Sequence, residues 1–351
     1  MDLPPSAVER LIRGALALQR ASNTIARDAE GVLRTLFDEL VAELVKIDPT
    51  GPSAERYRRM RVEKVLERVE ELTGEAFRDW NKRVRQDLAY LGRAQGEEAA
   101  RILVAAIGDA RVAALVGGTP VTVNQMKAIL DVNPFRGETL SGWAEVQEQA
   151  TIRRVRQAIQ LGMAQNETID DMVRRIRGGT RDGVAVPGIL KTTTREAEAI
   201  VRTAVTEVAA RAHLMTYEAN ADVTTSYRYT ATLDSRTTLI CAELDGRIFR
   251  YDDPDKKLPP QHWNCRSTIV PIVDWDKLGI EPPPPSTRAS DSGPVPARLD
   301  YEGWLRRQPA AKQDEILGPG RGRLFREGMT LAEMVRSDGA VIPLSDLRGK
   351  K

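Results

Sequence analysis

Apolar residues recur at three-four spacing along the first ninety positions. From Ser6 onward, Val8, Leu11, Ala15, Leu18, Ile25, Ala29, Val32, Leu36 and Leu40 fall on one helical stripe, with Ser22 as its polar interruption. Asp48-Pro49-Thr50-Gly51-Pro52 ends that helix, because proline cannot continue the hydrogen-bond ladder and Gly51 suits a turn. A second stripe runs through Val62, Val65, Val69, Leu72, Ala76, Val84, Leu88 and Leu91. At ~1.5 Å rise per residue, two antiparallel helices of roughly 50–60 Å each are the economical reading. A coiled coil that captures the helices of another protein is the alternative.

The helical pattern continues with shorter pieces. Glu97 to Val116 reads as a helix closed by Gly117-Gly118-Thr119-Pro120, and two more follow over Val121–Leu130 and Leu140–Gly162. Thr168 is placed to cap the next helix, with Asp170 and Asp171 in its positive first turn. Arg174, Arg175 and Arg177 lie near its end, where basic residues favour the helix dipole; a phosphate site is the rival reading. Thr180 to Thr192 reads as a loop. Thr193 with Glu196 then has capping-box spacing and opens a helix to Asn220, whose face is Ala197, Ile200, Ala204, Val208, Ala212 and Met215. His213, in that helix, reads as an ordinary packed residue, since no second ligand type recurs one turn away.

At Asp222 the period shortens toward two. Val223 to Thr232 is rich in β-branched and aromatic residues and predicts a strand. A turn at Leu233–Arg236, a short helix over Thr237–Leu244 and strands at Arg247–Tyr251 and Ser267–Val273 complete a small sheet. The fold class expected is α+β, mainly α. It comprises a long helical hairpin or bundle over 1–118, a helical connecting region over 119–192 and an α+β module with a short antiparallel sheet over 193–280. A Pro-rich linker over 281–297 and an extended C-terminal docking tail over 298–351 follow, the tail holding the run Tyr301 to Leu305, with Trp304, and then Phe325, Leu331 and Val335 in helical fragments.

Charge narrows the partners only slightly. Lys and Arg number 52 against 50 Asp and Glu, a net charge of +2, which gives no global reason to expect nucleic acid or a membrane. The aromatic content of 5% disfavours an aromatic β-sandwich. The start, MDLPPSAVERLIRG, lacks a signal-peptide pattern, and no apolar run reaches the ~18 residues of a membrane span. A cytosol-like compartment is therefore expected, where two cysteines are thiols or metal ligands more readily than a disulfide.

The chemistry-bearing side chains gather between Thr230 and Pro271, which holds both cysteines and one of the two histidines. Cys241, His262 and Cys265 are suitable zinc ligands, and His262-x-x-Cys265 lets one turn present two of them. A fourth ligand is Asp234, water, or none. A packed cluster without metal and a redox pair are the alternatives. Asp234, Arg236, Asp245, Gly246 and Arg266 are candidates for a turn and ion-pair network that holds the sheet. A catalytic triad, P-loop, HExxH motif or dinucleotide fingerprint is missing from the sequence, so no catalytic or cofactor-binding residues are assigned. A zinc- or cysteine-dependent hydrolase centred on Cys241, His262 and Cys265 stays as the rival function. A nucleic-acid module using Arg174, Arg175, Arg177 and Arg321-Gly322-Arg323 is the third.

Two blocks, Thr232–Gly246 and Pro259–Ser267, resemble the signature of the phage Mu F-like, or SPP1 gp7-like, minor head proteins, and the helix containing Arg202–Glu207 is similar too. The resemblance spans about Thr193 to Asp274. Many relatives carry cysteine where this chain has Thr238 and Ser267, and proline where it has Trp263, so the resemblance implies three metal ligands here instead of a fuller set. It implies a head-morphogenesis protein of a tailed phage, located in the virion and, during assembly, in the host cytoplasm. The implied partners are the portal protein, the major capsid or scaffold protein and packaged DNA, with no membrane.

Overall fold

The structure, a computed structural model, describes residues 4–46, 54–109, 113–165, 167–181, 184–284 and 286–348. In chain order it contains α1 (Pro5–Val45), α2 (Ala54–Ile107), α3 (Val123–Val132), α4 (Leu140–Ala164), α5 (Ile169–Arg177), β1 (Gly178–Arg181), β2 (Val184–Pro187) and α6 (Ile189–Glu218). Then follow β3 (Thr224–Thr230), α7 (Leu239–Leu244), β4 (Ile248–Arg250), β5 (Thr268–Val273), α8 (Trp275–Leu278), β6 (Thr287–Ser290) and β7 (Gly293–Pro296). The last helices are α9 (Tyr301–Arg306), α10 (Ala310–Leu317), α11 (Pro319–Arg326) and α12 (Leu344–Arg348), with a 3-10 turn at Ala332–Met334. The chain is mainly helical with small antiparallel sheets, the α+β class that its periodicity predicts. The predicted break at Asp48–Pro52 lies outside the described residues.

Two compact units divide the chain. One comprises Met1–Arg20, Ala89–Met126 and Val205–Lys351; the other comprises Ala21–Leu88 and Lys127–Ala204.

In the second unit, α1 buries Ser22, Ile25, Ala29, Leu33, Leu36, Phe37 and Leu40, while α2 buries Val65, Val69, Leu72, Phe77, Trp80, Val84 and Leu88. Asp28 interacts with Asp87 and Glu43 with Arg68, so positions rising along one helix meet positions falling along the other. That order makes the two helices antiparallel. Thr168 caps α5 through a capping box, its hydroxyl accepting from the Asp171 N–H while Asp171 accepts from the Thr168 N–H. The expected loop after Thr180 instead holds a hairpin, β1 with β2, in register from Gly178↔Pro187 to Arg181↔Val184. Gly188 is required at its end: a Cβ there would lie 2.0 Å from the Gly178 nitrogen. The following helix α6 opens at Ile189, before the predicted cap. Thr193 is buried within it, its hydroxyl 3.4 Å from that of Thr151, because tertiary packing claims this side chain.

In the first unit, α2 continues unbroken where a separate helix was expected from Glu97. The two glycines in that stretch are close-packing positions. A Cβ on Gly92 would lie 2.7 Å from Met126 Cγ and 2.8 Å from Val208 Cγ1, and one on Gly96 would lie 2.5 Å from Thr119 Oγ1. The three-stranded sheet has the order β4-β3-β5, antiparallel throughout, with Tyr227 opposite Phe249 and Pro271 and Tyr229 opposite Ile269. One face packs Tyr227, Ile269 and Val273 against Leu103, Ile107, Leu214 and Tyr217 of α2 and α6. At about 25 cal/mol per Å² of buried apolar surface, this aromatic-rich contact is what makes so small a sheet stable.

Two expectations downstream of the sheet are corrected. Residues 281–297 were expected to be a linker, yet β6 pairs with β7 from Thr287↔Pro296 to Ser290↔Gly293, and Arg288 within it is buried. The tail from 298 was expected to be a docking arm with helical fragments. Its helices are there, but Tyr301, Trp304, Leu305, Leu317, Leu324, Phe325, Leu331, Met334 and Leu347 form one core together with Leu233 and Ala242. Helices of only six and eight residues make too few turns for a periodic stripe to stand out, and that hid the core.

Candidate functional site

The scarce side chains of the Thr230–Pro271 stretch converge. Cys241 sits in the first turn of α7, and Cys265 precedes β5 after a tight turn that contains Asn264 at φ 57°, a left-handed conformation that asparagine tolerates. Both sulfurs are buried, at 1% and 2% residue exposure, and lie 3.6 Å apart. A ring nitrogen of the half-buried His262 completes the set, the three donor atoms all lying within 4.8 Å of one another. His262 Nδ1 lies 2.8 Å from the Trp263 carbonyl, to which it donates; the lone pair is then on Nε2.

The surroundings hold the cluster from several elements. The Tyr229 hydroxyl on β3 is 3.1 Å from Cys241 Sγ, and the Thr206 hydroxyl on α6 donates to the Cys265 carbonyl at 2.6 Å. Ala231 and Leu244 pack around them. The thiols titrate together. The hydrogen bond from Cys241, reinforced by His262, holds Cys265 below its ordinary value, while that same contact and burial push Cys241 up. Burial pushes the Tyr229 phenol well up as well.

Asp234 is not brought into this group. Among the described residues its two oxygens take Arg266 in a bidentate pair at 2.6 and 2.8 Å, and Oδ1 also accepts from the Arg236 N–H at 3.0 Å. Burial opposes its charge, but the Arg266 hydrogen bonds prevail and hold the carboxyl below the usual carboxylate range. That pairing is the physical reason it does not serve as the fourth ligand. Arg236 contributes its backbone, not its side chain, to this turn.

Asp245 anchors a separate network. Its oxygens accept from the Ala231 N–H at 2.7 Å, the Tyr301 N–H at 2.7 Å and both Arg288 terminal nitrogens at 2.8 and 3.0 Å. Arg288 also donates to the Ala231 and Leu299 carbonyls. Gly246 follows at φ 86° and donates to the Tyr229 carbonyl, so a residue free of a Cβ is needed exactly where the chain leaves α7 for β4. The sequence marks Asp245 and Gly246 but misses Arg288, Tyr301 and Thr206, because these lie 43, 56 and 59 positions from their partners. Nothing local in the sequence signals such pairings.

The arrangement can hold a metal or close a disulfide. It is poorly disposed for nucleophilic attack, since both sulfurs are shielded from any substrate. His213 is buried apart from the cluster, its Nε2 3.2 Å from Gln95 Oε1. Four of the arginines considered for nucleic acid are engaged: Arg174 with Asp171, Arg175 with Glu167 and Arg177 with Asp38, while Arg321 donates to the Ile342 carbonyl.

Residues 150–270 match the family model described as "Phage Mu protein F like protein". The match covers about a third of the chain, begins within α4, earlier than the Thr193 start of the two-block resemblance, and includes Cys241, His262 and Cys265. No curated protein and no solved structure matches the chain.

Proposed function

We propose, from the premise that residues 150–270 are a Phage Mu F-like region, that this chain is a head-morphogenesis protein of a tailed phage and acts through protein contacts. The observation that carries the reading is that match, over the segment that builds α6, the sheet and the cysteine–histidine cluster. The physical character of the site agrees with an assembly role. Its polar side chains are spent on one another, as in Asp234 with Arg266 and Asp245 with Arg288, and those contacts fix loops instead of meeting a substrate. None of the described helices is long and apolar enough to cross a membrane.

The partners proposed are the portal protein and the major capsid or scaffold protein, with packaged DNA a neighbour in the filled head. The chain travels from the host cytoplasm during assembly into the virion. The test is co-expression of a tagged chain with the portal, scaffold and major capsid proteins of the same genome. Co-purification that survives moderate salt is expected, and a chain that elutes free of portal, capsid and scaffold proteins alike contradicts the reading. DNA contact is read separately: binding that falls steeply with salt supports it, because phosphate contacts release counterions.

A further inference from the structure

We propose that Cys241, His262 and Cys265 form a structural zinc site with three protein ligands, its remaining position filled by solvent. Three geometric observations converge on this. Two thiolates held about 2.3 Å from a tetrahedral zinc stand ~3.8 Å apart, and the sulfurs here stand 3.6 Å apart, whereas a disulfide requires ~2.05 Å. Zinc thus fits with little movement of either sulfur. His262 donates one ring nitrogen to a backbone carbonyl, which leaves the lone pair on the other, the tautomer that such carbonyls fix in metal-binding imidazoles. The cluster also has outer support from the Tyr229 hydroxyl against Cys241 and from the Thr206 hydroxyl on the Cys265 carbonyl, which locks the loop carrying two of the ligands.

The donor set selects the ion. Two soft thiolates and one imidazole suit Zn2+ and are ill matched to Mg2+ or Ca2+, which take oxygen ligands. Among the described residues no fourth cysteine, histidine or carboxylate joins the group, and Asp234 is held by Arg266. His262 is only half-buried, so water reaches that side. The ion would tie α7 to the loop leading into β5, two segments that otherwise meet through the small Tyr229–Ala231–Leu244 cluster.

The test uses the full chain, reduced and freed of metal, titrated with Zn2+ and separately with Co2+. One equivalent of Zn2+ per chain is expected, together with a Co2+ spectrum showing thiolate charge-transfer absorption and the intense visible bands of a four-coordinate ion. His262→Ala is expected to weaken binding by ~10-fold or more while keeping the charge-transfer band, and Cys265→Ser to remove about half of that band. Far-UV circular dichroism checks that each variant folds; should Cys265→Ser fail, the wild-type cobalt spectrum and His262→Ala decide. Substoichiometric uptake, a six-coordinate cobalt spectrum without the thiolate band, or affinity unchanged in His262→Ala overturns the proposal. So does a reduced wild-type chain that, exposed to air with one equivalent of Zn2+, closes a Cys241–Cys265 disulfide with dioxygen as the oxidant and takes up no metal.

Discussion

Arg288→Met tests whether the hairpin at 287–296 locks the C-terminal core onto the sheet. The arginine makes two bonds to the Asp245 carboxylate and one each to the carbonyls of Ala231 and Leu299. Its side chain is 9% exposed and that of Asp245 is fully buried. Methionine fills much of the same volume but, among the described residues, leaves the carboxylate with the Ala231 and Tyr301 N–H groups as donors. Breaking one side of a buried ion pair costs about 3–5 kcal/mol, chiefly through the charge left behind. At ~1.4 kcal/mol per factor of ten, the amides around Ala231 and Tyr301 should lose roughly two to nearly four orders of magnitude of hydrogen-exchange protection. Exchange read peptide by peptide suits a chain of two units, because it does not require a single all-or-none transition. The double variant Arg288→Met with Asp245→Asn removes the orphaned charge and should be less damaged than the two single losses summed. Protection reduced less than fivefold in Arg288→Met, or strict additivity in the double variant, would refute the reasoning.

Three further outcomes follow from individual positions. Burial pushes the His213 imidazole down to about 4, whereas in the unfolded chain it titrates near 6.5; the unfolded chain binds the proton first, so stability is complete above pH 6.5 and falls as pH drops toward 4. The loss approaches about 3 kcal/mol, and urea midpoints between pH 4.5 and 7.5 should show a slope that His213→Gln flattens. Gly92→Ala should destabilise by ~1–3 kcal/mol despite alanine's better helix propensity, since its Cβ meets Met126 and Val208, while Gly31→Ala, with open space around it, should stabilise by ~0.5–1 kcal/mol; thermal melts of the two variants check the contrast. Gly246→Ala should lower stability by ~1 kcal/mol or more, because φ is 86° there, and a melting temperature equal to wild type would contradict that strain.

Legibility in the sequence tracked the range of the interactions. The stripes of α1 and α2 and the capping box at Thr168 are local patterns, and each appears where three-four spacing or cap chemistry places it. The cluster was legible through scarcity, since two cysteines and one of two histidines stood within one stretch, and the fold brings all three together. What stayed hidden was long-range. The close packing at Gly92 and Gly96 depends on Met126, Val208 and Thr119, all distant in sequence, and Arg288 read as part of a linker until its partner Asp245 appears. Asp234 shows the limit of ligand counting: the residue type suits a metal, but the neighbouring guanidinium of Arg266 claims it first. The tail failed for a related reason, because Tyr301, Trp304 and Phe325 form a core only once Leu233 and Ala242 are placed beside them.

Cross-linking mass spectrometry on procapsids and virions purified from the phage carrying this gene tests the assembly role most directly. The account predicts the chain in both particles at low copy, with cross-links to the portal protein. Particles that contain portal and major capsid protein in full measure, but neither the chain nor any cross-link to it, would contradict it.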